Sequence, residues 1–163
     1  MALRQVRYDG DDILRKKCKE VKTMNDRTLT LIEDMFDTMY ESGGVGLAAP
    51  QVGILKRIVV IDVEDDNQYV LINPVIVEKD GEQTGDVGCL SLPGKVATVT
   101  RPNHVVCRCL NEKMEEIEIQ GEGLLARAIC HEVDHLDGIL YKDVADGPLG
   151  DVSVEEEDES LER

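Results

Sequence analysis

The 163 residues contain no apolar run approaching the roughly 18–20 residues needed to cross a bilayer, so no membrane association is expected. The first dozen residues, MALRQVRYDGDD, lack the apolar core of an export signal, and a cytoplasmic location is the expectation. Basic charge is also scarce. Eighteen Lys and Arg face 34 Asp and Glu, a formal net charge of −16. Affinity for nucleic acid grows from basic side chains meeting phosphate, so no direct nucleic-acid binding is expected. The five cysteines (18, 89, 107, 109 and 130) are odd in number and irregular in spacing. That argues against a disulfide framework and for a reducing compartment. No internal repeat or second domain is discernible, and monomer is the default state.

What is present supports a buried core: 42% of residues are hydrophobic and 32% charged. The expected organisation is one domain over residues 1–148 and an acidic tail over 149–163. Residues 151–163 hold seven acids and one arginine, a stretch that reads as solvated and disordered.

Asp11 or Asp12 can cap a short helix over residues 11–18, with Ile13 and Leu14 turned inward. Asn25 or Asp26 can cap a longer helix to about Tyr40, on which Leu29, Ile32, Phe36 and Met39 recur at spacings of three and four. Residues 57–62 and 69–73 are rich in β-branched side chains and read as paired strands, with Pro74 closing the second. Residues 75–78 make a third strand, 85–94 a loop and 96–100 another strand. Residues 104–110 and 115–120 form a hairpin in which Cys107 and Cys109 share a face as buried thiols. His104, alone near a strand start, reads as structural. The last helix spans 123–136, with Leu124, Leu125, Ala128, Ile129 and Val133 supplying apolar surface and Gly138 a left-handed cap. Residues 139–141 then form a strand or a 3-10 turn. The fold class is α+β: curved, mainly antiparallel sheets around the C-terminal helix.

That helix carries His131-Glu132-Val133-Asp134-His135. Two histidines four apart share a helix face and can grip one divalent ion, with Glu132 beside them to manage a proton. A catalytic site of this kind takes three protein ligands, and the candidates are the cysteines, His104 and many carboxylates. Cys89 suits best, because the glycine-flanked Val87-Gly88-Cys89-Leu90-Ser91 can turn a thiolate into a cleft. Cys130 lies about 100° around the helix from His131 and reads as packing. Earlier in the chain, Gly44 to Gln51 (GVGLAAPQ) offers small residues for close backbone approach and an amide able to donate to an oxygen.

GVGLAAPQ, GCLS at 88–91 and HEVDH at 131–135 together resemble the three ordered motifs of the peptide deformylases, across roughly residues 3–145. The resemblance implies an enzyme that removes the N-formyl group from the initiator formylmethionine of nascent polypeptides and releases formate. It implies Cys89, His131 and His135 as metal ligands, Glu132 as general acid and base, and Gln51 with the Leu90 N–H as oxyanion donors. The backbone at Gly44, Val45 and Gly46 and around Gly88 would hold the substrate peptide. Val45, Val87, Leu125 and Ala128 would line the methionine pocket. Family members use Fe(II) in the cell and accept Ni(II) or Co(II), while Zn(II) often occupies isolated protein.

The match departs from the family pattern at Val87, where the second motif carries Glu. That removes a charge which could have met an arginine such as Arg101. Arg127 falls on the HExxH helix where an apolar residue is expected, and reads as solvent face. The acidic end differs from the basic extension by which some members meet the ribosome, so ribosome docking is not expected. Two other readings stay open here. One is an HExxH metallopeptidase with a downstream acid such as Asp137, Asp143 or Asp146 as third ligand; the other is a metal-bound but inactive peptide binder, suggested by Val87.

Overall fold

The run Ile58-Val-Val-Ile61 has no polar face, and the fold explains why. In the computed structural model, which describes residues 2–152, this segment is strand β2, buried on both sides. Ile58 and Val60 pack under helix α1 (Asp26–Glu41), whereas Val59 and Ile61 pack under helix α2 (Leu124–Leu136). Alternate side chains of a strand leave opposite faces, so a strand between two helices needs apolar residues at every position.

Five strands make this sheet, in the order β1 (Gly46–Ala48), β2, β3 (Tyr69–Asp80), β6 (His104–Leu110) and β7 (Glu116–Glu122). A second sheet has the order β4 (Gln83–Cys89), β5 (Leu92–Arg101) and β8 (Gly150–Asp151). Every pairing within the two sheets is antiparallel. The expected α+β class with mainly antiparallel sheets and a C-terminal helix is what the chain forms. β1 and β4 are edge strands, each paired on one side only. Cys107 and Cys109 are buried free thiols on β6, as expected, and His104 meets Asp80 across the β3–β6 pair, 3.1 Å away.

Several local expectations need correction. The two strands expected either side of Pro74 are one strand, β3, with a register shift between Ile72 and Val75. Asn73 takes φ +52° there, and its side chain exchanges two 2.9 Å hydrogen bonds with the Val21 backbone. Pro74 lies just past the last β2 partner, so its missing N–H costs no ladder bond. Residues 85–94 are not a loop but the two arms of the β4–β5 hairpin, joined through Leu90 and Ser91. The expected 11–18 helix is a single 3-10 turn, Asp12–Arg15, capped by Asp11, with Leu14 buried and Ile13 half-buried. On α1, Leu29 is 37% exposed and Leu31 takes its place in the core, because Leu29 falls on the rim of the apolar stripe. Leu124, at the open first turn of α2, is exposed. Residues 139–141 lead into a one-turn helix, α3 (Tyr141–Val144), rather than a strand. The tail expected to be disordered from 149 begins with Gly150 and Asp151 paired to Val96 and Lys95; its remainder lies outside the described residues.

Candidate metal centre

The sequence holds α2 rigidly at its far end. Gly138, at φ +77°, turns the chain so tightly that a Cβ there would stand 2.5 Å from the Arg15 carbonyl oxygen. Arg57 donates to the Leu136 carbonyl at 3.1 Å and to Asp137 at 2.9 Å, placing positive charge at the helix C-terminus. On the face so fixed, the His131 and His135 rings stand edge to face with centroids 5.0 Å apart, and Tyr141 packs 6.0 Å from His131. The end of β4 brings Cys89 to them: its sulfur lies 3.3 Å from His135 Nε2. One donor atom from each of Cys89, His131 and His135 falls within 4.8 Å of the others, and all three residues are buried.

The surroundings of these groups are specific. The Cys89 sulfur receives hydrogen bonds from the Ser91 and Leu92 backbone and from the Ser91 side chain, yet burial and the nearby Glu132 push its thiol up to about 12. Burial drives His135 down to about 4 and His131 well below the usual imidazole value, so both rings are neutral. Glu132 is pushed up to about 8 by burial. Its carboxylate rests on β1: a Cβ on Gly46 would stand 2.6 Å from Oε2. Gln51 is tethered by accepting from the Ala48 N–H at 2.9 Å, which aims its amide nitrogen at Ser91 Oγ (3.0 Å) and Cys89 Sγ (3.6 Å).

These residues fit a divalent ion. Among the described residues, buried His131 Nδ1, His135 Nδ1 and Glu132 Oε1 have no hydrogen-bond partner. Donors bound at about 2.0–2.3 Å in a tetrahedron stand roughly 3.3–3.6 Å apart, a spacing to which the Cys89–His135 pair already conforms. A cation would reverse the local field, holding the thiol ionised while the neutral imidazoles keep their lone pairs. The downstream acids are engaged elsewhere: Asp137 by Arg57, Asp143 by Arg15 and Asp146 by Thr100.

Comparison with known proteins fits this geometry. The family model for polypeptide deformylase matches residues 3–148. A peptide deformylase of Agathobacter rectalis is 60% identical over 159 residues, covering 98% of this chain and 100% of that protein. The chain belongs to the polypeptide deformylase family. It is accordingly a metal-dependent hydrolase that removes the N-formyl group from nascent peptides. Among solved structures, the Thermotoga maritima peptide deformylase superposes with a TM-score of 0.87 at 38% identity, covering 90% of this chain and 100% of that one. That of Legionella pneumophila gives 0.85 at 42%, covering 98% and 94%.

The deformylase motifs converge on the metal centre, with Gln51 next to Cys89 and Glu132 against Gly46. Gly44, Val45 and Gly46 enter and begin β1. Val45 and Asp62 are bonded through the Asp62 N–H (2.9 Å), and Gly46 opposes Ile61. Antiparallel pairs alternate, so the Gly46 N–H and C=O are directed away from β2, toward the free edge. Val87 and Gly88 lead into Cys89 on β4, Val87 packing against the cluster that contains Leu14, Cys89 and Tyr141. Leu90 occupies the hairpin turn beside Cys89. Ala128 is buried on α2, while Leu125 packs against Gly121 of β7, toward the large sheet. Two participants were not foreseen. Ser91 lies inside the GCLS motif, so the motif itself was its signal. Asp134, inside HEVDH, binds Arg101 at 2.8 Å, a pairing that connects α2 to β5 and that no local pattern announces. Arg127, expected on the solvent face, is only partly exposed, with Nη1 2.9 Å from where a Gly85 Cβ would stand.

Proposed function

We propose that Cys89, His131 and His135 hold one divalent ion and that Glu132, Gln51 and Leu90 carry out deformylation beside it. The convergence of the three donors with Glu132 against Gly46 carries this reading. When bound, the ion acidifies water and polarises the formyl oxygen. A thiolate with two imidazoles suits Fe(II), Zn(II), Ni(II) or Co(II) over Mg(II) or Ca(II), and Fe(II) is the proposed cellular ion.

The substrate is the N-terminal formylmethionine of a nascent chain. Its backbone adds to the free edge of β1 at Gly46 and follows β4 near Gly88, an extended strand between two edges. The methionine side chain faces Ala128, Val87 and Val45, with Leu125 behind them. Glu132 Oε1, unpaired and buried, accepts a proton from the water that attacks the formyl carbon. Of the two Gln51 amide hydrogens one serves Ser91; the other, directed at the Cys89 sulfur over a longer 3.6 Å, turns to join the Leu90 N–H at the developing oxyanion. The C–N bond then breaks, Glu132 delivers its proton to the departing amine, and formate and a free N-terminus leave. The proposed setting is the cytoplasm, with the chain a monomer that binds neither nucleic acid nor membrane. Among the described residues no helix is long and apolar enough to cross a membrane.

The test is formate release from formyl-Met-Ala-Ser by anaerobically prepared Fe(II) protein. Glu132→Gln should retain metal and lose turnover by about 10²–10⁴-fold, whereas Cys89→Ala should fail to retain metal. A folded, metal-bound wild-type protein without turnover refutes the assignment.

A further inference from the structure

The two oxyanion donors come from different parts of the chain, Gln51 from a 3-10 turn (Ala49–Val52) and Leu90 from the β4–β5 turn. A direct bond joins the two turns, Gln51 Nε2 to Ser91 Oγ at 3.0 Å. A third segment, distant from both in sequence, joins the same two residues through the backbone. The Arg7 N–H donates to the Gln51 carbonyl at 2.7 Å, and the Asp9 N–H donates to the Ser91 carbonyl at 2.8 Å. These three bonds close a ring, and Leu90, which directly precedes Ser91, is carried by it. The segment is itself held in place. The Asp11 N–H returns to the Tyr8 carbonyl at 3.0 Å with Gly10 at φ +103°, the pattern of a type II turn. The Arg7 guanidinium bonds Asp11 at 2.9 Å and covers Gly53, where a Cβ would stand 3.0 Å from Nη2. The Asp9 carboxylate accepts from Lys142 of α3 at 2.6 Å.

We propose that Arg7 and Asp9 are positioning residues whose backbone N–H groups set the spacing between the two oxyanion donors. The inference rests on the assignment of Gln51 and Leu90 made above. Donors aimed at a developing charge are worth most when nothing has to reorganise as the charge appears. The Gln51 amide does have to turn, because one of its hydrogens points at the Cys89 sulfur at 3.6 Å. The direct bond to Ser91 uses that same moving amide and cannot by itself hold the frame. The bonds from Arg7 and Asp9 involve no moving atom. They fix the Gln51 and Ser91 backbones while the amide turns between them.

The turn supplies a clean test. Asp9 is its second residue, where φ is about −60°, the value that proline carries. Asp9→Pro therefore suits the turn while removing the N–H bonded to Ser91. Asp9→Ala loses the same carboxylate but keeps the N–H, and is the reference. With formyl-Met-Ala-Ser and the Fe(II) protein, kcat should be about tenfold lower in Asp9→Pro than in Asp9→Ala, a part of the roughly 10²–10³-fold worth of a whole oxyanion donor. KM and bound metal should be the same in both. Repeated in a Gln51→Ala background, the comparison should give a ratio near one, because spacing between two donors has no meaning once one is gone. Arg7→Pro against Arg7→Ala probes the other bond in the same way and carries the reading if Asp9→Pro does not fold. A segment that served the fold alone would give the same ratio with and without Gln51. That result, or a ratio near one with Gln51 in place, overturns the proposal and leaves deformylation intact. Metal-bound wild type without turnover refutes the underlying site assignment and this inference with it.

Discussion

Gly46 answers to two demands at once. Its backbone faces the free edge of β1, and its missing side chain makes room for the Glu132 carboxylate, 2.6 Å from where a Cβ would be. Glu132 is buried, on a helix anchored at its C-terminal end and flanked by His131, so it cannot retreat without moving the ligand beside it. Gly46→Ala should therefore displace the carboxylate and lower kcat by roughly 10²-fold, the cost of about an ångström of misplacement at a reacting centre. The metal ligands are untouched, so bound metal measured by elemental analysis should stay at the wild-type level. Metal loss together with activity would show that the fold, not the carboxylate position, had been damaged. The ligand residues themselves were legible because each sits in a short motif whose spacing is its function. The steric role of Gly46 was not, since the group it accommodates comes from a distant segment.

Elements were legible where one pattern governs them. The α1 cap at Asn25, the β6–β7 hairpin and the Gly138 stop follow from local chemistry and appear as read. β3 was split in the reading because Asn-Pro normally ends a strand. The strand continues because β2 stops there while β6 keeps pairing beyond it, a change of neighbour that leaves no trace in the local pattern. Likewise the glycine-rich 85–94 has the composition of a loop, although its glycines serve the hairpin: Gly85 leaves room for the Arg127 guanidinium, and Gly94 supplies φ +75° on β5, where open space surrounds it. The β3 bulge depends on Asn73, whose side chain clasps Val21 while its backbone holds a positive φ. Asn73→Ala forfeits two hydrogen bonds at about 0.5–1.5 kcal/mol each and meets strain at a positive φ, for a total near 2–4 kcal/mol. At about 2–4 °C per kcal/mol for a chain of this size, thermal unfolding should shift down by roughly 4–16 °C. A shift under about 2 °C would mean that the bulge is held by the β3–β6 ladder alone.

At the scale of the molecule, the proposed ion ties together parts that otherwise meet through side-chain packing and the Arg101–Asp134 ion pair. Cys89 belongs to the smaller sheet, whereas both histidines belong to α2, which rests on the larger one. An ion bound by all three would link the two sheets and would lower the cost of burying a thiol that otherwise stays protonated. A ligand that binds only the folded state stabilises it by RT ln(1 + [L]/Kd), about 4 kcal/mol at a thousandfold excess over Kd. Stripping the ion with a chelator should then lower the melting temperature by roughly 8–16 °C. Cys89→Ala, which leaves two ligands on one helix and none on the small sheet, should show almost no chelator effect. Glu132→Gln should show the wild-type shift, because it alters the proton carrier and not the donor set. If instead wild type and Cys89→Ala responded equally to chelator, the stabilising ion would reside elsewhere, and the link between the sheets would rest on packing and the Arg101–Asp134 pair.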